Sequence, residues 1–452
     1  MEVTTPPTPP FSWNCKRLHR PKLYDPNKSR GDRAKQREVR KKIEKILAEF
    51  KQLNLPPIDP ALLGKLYTEA VTMKHGKSYK LKKGIALSHW NPGCKEEIKI
   101  THACTVVATR KEKRIFIDFD DVIARGNQSK ITRTVYILIP KTGAIKVLEA
   151  ARYSSLVTPT QEFKKARLVN RIQKTKACRN IPQIVPQEYW SLFLKKKGYK
   201  LNIFSLRYDT DLLSLLIKTR KEKIPISYAN VMDILLPLTT GLKKLSTENR
   251  LIHKDLKPEN ILLNYRIEEE NVLMLYDPRI HDLDYCTKID NQAGVLKTCG
   301  SLPYVCPTIV YLSFHERYEF KTLKKLLNIS NVEDVSSIVG SALDLWGLGC
   351  ILYTCFYQRL PPPSRHMMRI TEIQQENLET EMKTSMMRAV FVEYEKSLVE
   401  MDKKFKEKEP NFFLSVIAKL LRVDPRQRTS IEELLTLVEE HAKKIGMVIS
   451  TI

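Results

Sequence analysis

The stretch LIHKDLKPEN, residues 251–260, brings His253, Asp255, Lys257 and Asn260 into one short run directly after an apolar pair. A carboxylate can take up a proton, an ammonium group can offset developing negative charge, and an amide oxygen can help to hold a hard cation. These residue types could therefore form one reaction centre. A solvated surface loop is the alternative interpretation, and the rest of the chain must decide between the two.

The chain is long enough for more than one folding unit. Its 452 residues, 42% of them hydrophobic, predict two or three units and argue against wholesale disorder. We find no apolar run of the roughly 18 residues that a membrane span needs, and residues 1–30 lack the apolar core of a signal peptide. The nine cysteines form no C-x-x-C pair. Reduced thiols and an intracellular location, in the cytoplasm, the nucleus or both, are therefore expected.

The net charge of +26 is unevenly distributed, because residues 1–115 contribute +15 of it. Such a surface attracts acidic proteins, nucleic acid or anionic membranes. The basic run lacks closely interleaved aromatic residues for base stacking, so a protein that mainly binds nucleic acid is the least favoured function. The stretches KRLHRPK and REVRKK fit nuclear-import signals and solvated helix faces about equally well.

The first quarter of the chain predicts a tail followed by helices. Residues 1–30, rich in proline and basic residues, predict a disordered tail, and residues 31–115 a basic helical extension. Asp59 and Pro60 are typical of the N-cap and first turn of a second helix. We expect a helical hairpin that packs on the following domain, with a separate binding module as the alternative. The apolar residues at helical spacing are Val39, Ile43, Ile46, Leu47, Phe50 and Leu53, then Leu62, Leu63, Leu66, Tyr67 and Ala70.

Residues 116–445 predict an α+β domain of two unlike lobes. Short β-rich runs such as IFIDF and TVYILI fill a small lobe over about residues 116–206, and long helical runs fill a larger lobe over about 207–445. Within the larger lobe, YEFKTLKKLLNI predicts an extra amphipathic helix in an insert of about residues 309–340. This helix could shape access for a substrate, but we favour a role in covering the lobe.

The opening stretch resembles the catalytic loop of protein kinases, H-R-D-L-x-x-x-x-N, because Asp255 is followed five positions later by Asn260. Its DLKPEN form is similar to that of the serine/threonine branch. HDLDYC stands where Asp-Phe-Gly is usual, CGSLPYVCPT where Gly-Thr-x-x-Tyr-x-Ala-Pro-Glu is usual, and DLWGLGC where a buried Asp-x-Trp-x-x-Gly helix is usual. Over about residues 116–440 the chain therefore resembles a eukaryotic-type protein kinase, which implies the bilobal kinase fold with a basic helical N-terminal extension.

The resemblance implies a role for each polar residue of the opening stretch and its partners. Asp255 would accept the proton of the substrate hydroxyl, Lys257 would offset the charge of the transferring phosphate, and Ser301 would help to define the hydroxyl's site. Asn260 and Asp282 would hold Mg²⁺, with ATP as the phosphate donor. The implied activity is transfer of the γ-phosphate of ATP to serine or threonine hydroxyls of protein substrates.

The same resemblance implies where the nucleotide binds. TGAIKVLEA is similar to the Val-Ala-Ile-Lys strand, so Lys146 would contact the phosphates and Glu162 would pair with it; a solvated glutamate is the alternative for Glu162. IARGNQSKI fits the glycine-rich phosphate loop loosely, since it keeps one of the three usual glycines. The implied nucleotide-binding residues are Ala124, Gly126, Ser129, Ile131, Ala144, Lys146, Glu162 and Asp211.

Several positions depart from the kinase pattern. Lys254 replaces an arginine that grips a phosphate bidentately, and Asp284 replaces the glycine of Asp-Phe-Gly. Thr308 replaces a glutamate that usually pairs with the late arginine of the family, here Arg428. Because a buried arginine without a carboxylate is costly, we expect Glu316 or another acid to substitute, or Arg428 to be exposed.

Two functions remain open at this point. The first is an active but divergent kinase, with a viral origin and a host-cell location as one interpretation, whose basic N-terminal region docks an acidic protein or nucleic acid. The second is a catalytically weak or inactive pseudokinase scaffold that binds an anionic partner. The intact set Lys146, Asp255, Asn260 and Asp282 favours the first. Thr298 is the predicted phosphorylated residue of the activation segment.

Overall fold

The computed structural model divides into two compact units. The first unit comprises residues 1–124 and 132–150, and the second comprises 125–131 and 151–452. The structure describes residues 30–74, 77–81, 86–87, 98–99, 102–109, 112–125, 129–157, 178, 181–185, 187–195, 198–291, 294–295, 300–328, 340–405 and 411–447.

The first unit begins with the two predicted helices, α1 (Arg30–Gln52) and α2 (Pro60–Thr72). Asp59 is the N-cap of α2, since its Oδ1 accepts a hydrogen bond from the N–H of Ala61 at 2.8 Å. Pro60 occupies the first helical position, where its missing N–H has no intrahelical partner to lose. Leu53, the last apolar residue of the predicted spacing, lies beyond the end of α1 and is 41% exposed.

Helices α1 and α2 pack on a five-stranded curled sheet, which confirms the prediction of a hairpin against the following domain. Ile46 and Phe50 of α1 and Leu62 of α2 share one apolar core with Val106 and Ile137 of the sheet. The strand order is β1-β4-β5-β6-β7. The strands of this part of the chain are β1 (Ser78–Leu81), β2 (Ala86–Leu87), β3 (Ile98–Lys99), β4 (Ala103–Ala108), β5 (Glu112–Arg125), β6 (Ser129–Pro140) and β7 (Lys146–Val157).

The second unit contains three small groups of strands. The strands β8 and β9 form an antiparallel hairpin, β10, β12 and β13 form a three-stranded sheet in that order, and β11 pairs with β14. The last two groups bracket the predicted catalytic loop, because β11 ends at residue 252 and β12 begins at residue 261. Their bounds are β8 (Gln187–Lys195), β9 (Gly198–Leu206), β10 (Thr210–Asp211), β11 (Leu251–Ile252), β12 (Ile261–Ile267), β13 (Leu273–Ile280) and β14 (Thr287–Lys288).

Helices dominate the remainder of the second unit, as the sequence predicted. Leu323 and Leu327 of the predicted extra helix are buried in the large core of this unit, which favours the covering role. None of the described helices is long and apolar enough to cross a membrane. The helices are α3 (Leu212–Glu222), α4 (Tyr228–Lys243), α5 (Pro307–Phe314), α6 (Lys321–Leu327), α7 (Ala342–Tyr357), α8 (Pro362–Gln375), α9 (Thr380–Lys404), α10 (Phe412–Leu420) and α11 (Ile431–Lys444).

Candidate active site

A buried carboxylate on α7 anchors the loop that follows β11. The Oδ2 of Asp344 accepts a hydrogen bond from the N–H of His253 at 2.7 Å, and its Oδ1 accepts one from the N–H of Lys254 at 2.8 Å. Burial raises the pKa of Asp344, while these two N–H groups stabilise its ionised form. Two successive peptide units of the loop are thereby fixed to a long helix.

His253 is a second support of the loop. It is fully buried, its Nε2 lies 2.9 Å from the carbonyl oxygen of His281, and its Nδ1 accepts a hydrogen bond from the N–H of Asp255 at 3.3 Å. One neutral tautomer, protonated at Nε2, satisfies both contacts. The ring therefore joins the loop to the end of β13 without requiring a charge in the core.

Three residues predicted from the sequence converge around Asp255, which is only 5% exposed. Its Oδ1 accepts a hydrogen bond from the N–H of Ser301 at 2.8 Å, and its Oδ2 accepts one from the Nδ2 of Asn260 at 3.2 Å. The Nζ of Lys257 lies 3.4 Å from that Oδ2 and donates to the Oγ of Ser301 at 2.6 Å. A carboxylate, a cation and a hydroxyl thus share one connected network.

Asn260 and Asp282 lie at the same end of the β12–β13 pair. Ile261 pairs with Ile280, and the N–H of His281 donates to the carbonyl oxygen of Asn260 at 2.8 Å. The Nδ2 of Asn260 points back to the carbonyl oxygen and carboxylate of Asp255, which leaves its Oδ1 as the acceptor atom. Asp282 has a φ of +62°, a left-handed conformation that is unusual for a residue with a side chain and that clusters at functional sites.

The comparison with known families agrees with this geometry. A family model of the protein kinase domain matches residues 118–437, which is most of the chain. The chain belongs to the protein kinase family. No curated protein matches it. The predicted fold class, a β-sheet region followed by a helical region with a helical N-terminal extension, is therefore confirmed.

The kinase tolerates aspartate where Asp-Phe-Gly has its glycine. Asp282, and not Asp284, takes the left-handed conformation, so position 284 does not need the freedom of glycine. The N–H of Asp284 instead faces the Oδ1 of Asp282 at 3.4 Å. Leu283 keeps the apolar character of the middle position and is buried.

Gly300 is a glycine near Asp255 that cannot be replaced without strain. Its φ is +96°, and a Cβ atom built there would lie 2.7 Å from the carbonyl oxygen of Lys254. The next residue is Ser301, whose N–H binds Asp255. Gly300 therefore allows the backbone to pass close enough to Lys254 and Asp255 to make that bond.

Arg428 differs from the prediction, because it is neither exposed nor paired with an acid within the part of the chain that the structure describes. It is 7% exposed, and its guanidinium donates to the carbonyl oxygens of Arg422, Ala342 and Val423 at 2.8, 2.7 and 3.2 Å. It also lies 5.1 Å from the ring centroid of Trp346. Backbone carbonyls and an aromatic face replace the expected carboxylate, so Arg428 does not need an acid in place of Thr308.

The predicted nucleotide-binding residues occupy several parts of the kinase, and their role stays a prediction. Ala124 lies near the end of β5, Ser129 and half-buried Ile131 lie at the start of β6, and exposed Ala144 precedes exposed Lys146, the first residue of β7. Asp211 is the N-cap of α3, where its carboxylate accepts hydrogen bonds from the N–H and Oγ of Ser214. Gly126, Glu162 and Thr298 lie outside the described residues.

Two charged residues of the loop, Glu259 and Lys254, have surroundings that the sequence did not indicate. Glu259 is half-buried, burial raises its pKa, and its Oε2 has no hydrogen-bond partner among the described residues. Lys254 has a φ of +68°, and its Nζ donates to the carbonyl oxygen of Gly294. Both residues are visible as charged positions in the sequence of the loop. Their surroundings could not be predicted, because they depend on segments far away in the sequence.

Proposed function

We propose that this kinase transfers the γ-phosphate of ATP to serine and threonine hydroxyls of proteins. The observation that carries the proposal is the network around Asp255, in which a buried carboxylate is held by two donors beside Lys257 and Ser301. A pseudokinase scaffold would not need to keep a carboxylate, a cation and a hydroxyl in this arrangement.

In the proposed reaction the substrate hydroxyl attacks the γ-phosphorus, the bond from that phosphorus to the bridging oxygen breaks, and ADP leaves. Asp255 orients the hydroxyl and takes its proton. Lys257 offsets negative charge on the transferring group, and its hydrogen bond to Ser301 holds it in place. The hydroxyl of Ser301 lies within this network, so it would contact a serine or threonine substrate at the same point.

Asn260 and Asp282 fit a magnesium site, with the nucleotide phosphates supplying further oxygen ligands. Mg²⁺ prefers oxygen ligands and keeps several waters, so one amide oxygen and one carboxylate are sufficient from the protein. Among the described residues no group of three or more histidine, cysteine, aspartate or glutamate side chains could hold a metal by itself. Bound magnesium would neutralise charge on the phosphates; Asn260 and Asp282 would hold it there.

The proposed function is tested by transfer from γ-labelled ATP with Mg²⁺ to casein, histone, myelin basic protein and the protein itself. Lys146→Met and the matched exposed variant Lys141→Met are measured beside the wild type, followed by hydrolysis and separation of the labelled phosphoamino acids. Label on serine or threonine that disappears only in Lys146→Met supports the proposal. No transfer by folded wild-type protein, or label on tyrosine alone, contradicts it.

Replacing Gly300 with alanine should lower this transfer activity by on the order of ten- to a hundred-fold. The added Cβ atom meets the carbonyl oxygen of Lys254 at 2.7 Å, so the backbone must move and carry the N–H of Ser301 away from Asp255. The left-handed conformation adds a cost of about 1–2 kcal/mol. Steady-state transfer rates at saturating ATP measure the effect.

Gly340→Ala is the matched control, because a Cβ atom there meets no atom of the described residues within 4 Å. This control should keep wild-type activity. Equal activity of the two alanine variants would show that the close approach at Gly300 does not position the catalytic loop.

The exposed face of α1 supports a second part of the proposal, the docking of an anionic partner. Ile43, Ile46 and Phe50 are buried on the opposite face of the helix. Because α1 is thereby fixed to the sheet, its basic face is held outward. The exposed cations are Arg37, Arg40, Lys41, Lys45 and Lys51. The partner would be an acidic protein or a nucleic acid inside the cell, a location that the six buried, free cysteines of the described residues also favour.

Changing Arg37, Lys41 and Lys45 together to glutamate should weaken binding to a labelled polyglutamate peptide or a labelled single-stranded oligonucleotide at least about ten-fold. The three side chains are exposed, so folding should be unaffected. Fluorescence anisotropy at several salt concentrations measures affinity. A steep salt dependence for the oligonucleotide alone would identify nucleic acid as the partner class, whereas unchanged affinity for both probes would exclude α1 as the docking element.

A further inference from the structure

A groove with a volume of about 670 Å³ runs along α4 on the second unit. Its walls come from α4, from the end of β13 and from α11. A π-helical turn over Lys244–Glu248 continues α4 and extends the wall at one end. None of these residues belongs to the catalytic loop or to the magnesium site, so the groove is a separate feature of the kinase.

One end of the groove has hydrogen-bond acceptors that lack donors. The carboxylate of Asp233 is half-buried in the wall, makes no hydrogen bond or ion pair among the described residues, and has its pKa raised by burial. Pro237, one helical turn later, has no N–H, so the carbonyl oxygen of Asp233 loses its α-helical hydrogen bond. Both features call for a ligand that brings N–H groups.

A further acceptor lies in the same wall. Gln183 lines the groove and is only 6% exposed, yet its Oε1 has no hydrogen-bond partner among the described residues. Its Cβ side packs close to Gly241 of α4. Gln183 therefore lies toward the Lys243–Lys244 end of the groove, and its buried Oε1 does not belong to the acceptors around Asp233.

The other end of the groove has three cations, Lys243, Lys244 and Arg279, and also two acids, Asp277 and Glu248. Lys243 and Lys244 follow Asp233 by ten and eleven positions along the same helical axis, which corresponds to roughly 15 Å at 1.5 Å per residue. Arg279 lines this part as well, although its Nε already donates to Asp277 at 2.6 Å. The groove thus has Asp233, whose carboxylate has no partner among the described residues, at one end and Lys243 and Lys244 at the other, at a fixed separation.

We propose that this groove docks an extended segment of a partner protein that carries an arginine and, four or five positions away, an acidic residue. An extended chain covers roughly 15 Å in four to five residues, which matches the spacing of the two ends. Arginine fits the first end best, because its guanidinium has five donors and can serve a carboxylate and a backbone carbonyl together. The acidic residue would meet Lys243 and Lys244. Binding here does not depend on catalytic activity.

The test uses the full chain and labelled, capped peptides in which arginine and glutamate are separated by three or four alanine or leucine residues. Fluorescence anisotropy should show saturable binding by the wild type, weakened at least about ten-fold by Asp233→Arg. A peptide with glutamate in place of the arginine should bind Asp233→Arg better than it binds the wild type. A merely structural role of Asp233 would not produce that exchange of preference.

Glu400→Arg, at an exposed acid of α9, is the matched control and should bind the peptides like the wild type. Lys244→Glu tests the other end independently, and a peptide with lysine in place of its glutamate should restore its affinity. The proposal is overturned if the wild type binds none of the peptides saturably, or if neither charge exchange alters which peptide is preferred.

Discussion

Replacing Asp255 with asparagine should reduce phosphate transfer by about 10²–10⁴-fold, because a positioned base contributes about that much to proton transfer. Asparagine has nearly the shape of aspartate, and its Oδ1 can still accept the hydrogen bond from the N–H of Ser301. What it cannot do is take up the proton of the attacking hydroxyl. The loss should therefore appear in kcat and leave the affinity for ATP nearly unchanged.

The fold of this variant should survive, for a reason visible in the contacts of Asn260. The Nδ2 of Asn260 donates to the Asp255 carbonyl oxygen at 2.8 Å as well as to its carboxylate at 3.2 Å, so one of its two bonds does not depend on the substitution. Thermal unfolding and binding of the ATP–magnesium complex are measured beside the transfer assay.

Asp290→Asn provides the comparison, since Asp290 is exposed and pairs with Arg250 on the surface. It should retain full activity, because a surface ion pair contributes little. If Asp255→Asn kept more than about a tenth of the wild-type kcat, Asp255 would not be the base, and the proton would have to leave by another route.

The parts of this kinase that the sequence predicted correctly are those in which the cause is local. The N-cap at Asp59 and the proline after it are read from two adjacent residues, and the apolar spacing of α2 from one helix. The loop that resembles a kinase catalytic loop was recognisable because Asp255, Lys257 and Asn260 lie within six positions, and the structure places it between two short strands. In these cases the residues that are close in space are also close in the sequence.

The surroundings of Arg428 could not be predicted, because they depend on chain segments far apart. The expectation of a carboxylate partner treated charge as the only way to hold a buried guanidinium. In the structure a carbonyl from the start of α7 and two from the turn before Arg428 supply the acceptors. Backbone carbonyls are present at every position, so a sequence pattern does not reveal which of them will converge.

The role of Asp211 shows a signal that the sequence did contain. The kinase pattern placed this residue at the nucleotide, yet an aspartate just before a helical run, with a serine three positions later, is also typical of an N-cap. In the structure both oxygens of its carboxylate bind Ser214. A nucleotide contact by Asp211 would have to share or replace these bonds.

Replacing Asp344 with alanine should abolish activity by releasing the catalytic loop, although Asp344 is not itself a catalytic residue. The substitution leaves the N–H groups of His253 and Lys254 buried without an acceptor. Each such group costs about 1–3 kcal/mol, so the free energy of unfolding of this part should fall by about 2–6 kcal/mol. Hydrogen exchange of the segment 251–260, followed by mass spectrometry, should show faster exchange at these two amides.

Asp344→Asn separates the anchoring role from simple loss of packing. An amide keeps the shape and one acceptor oxygen, so one of the two N–H groups stays satisfied and the other faces an NH₂ donor. Its stability and activity should therefore lie between those of the wild type and of Asp344→Ala. If the alanine variant exchanged no faster over residues 251–260 than the wild type, the loop would be held by His253 and its contact with His281 instead. The exchange rates of the wild type and the two variants thus show whether Asp344 or His253 holds the loop in place.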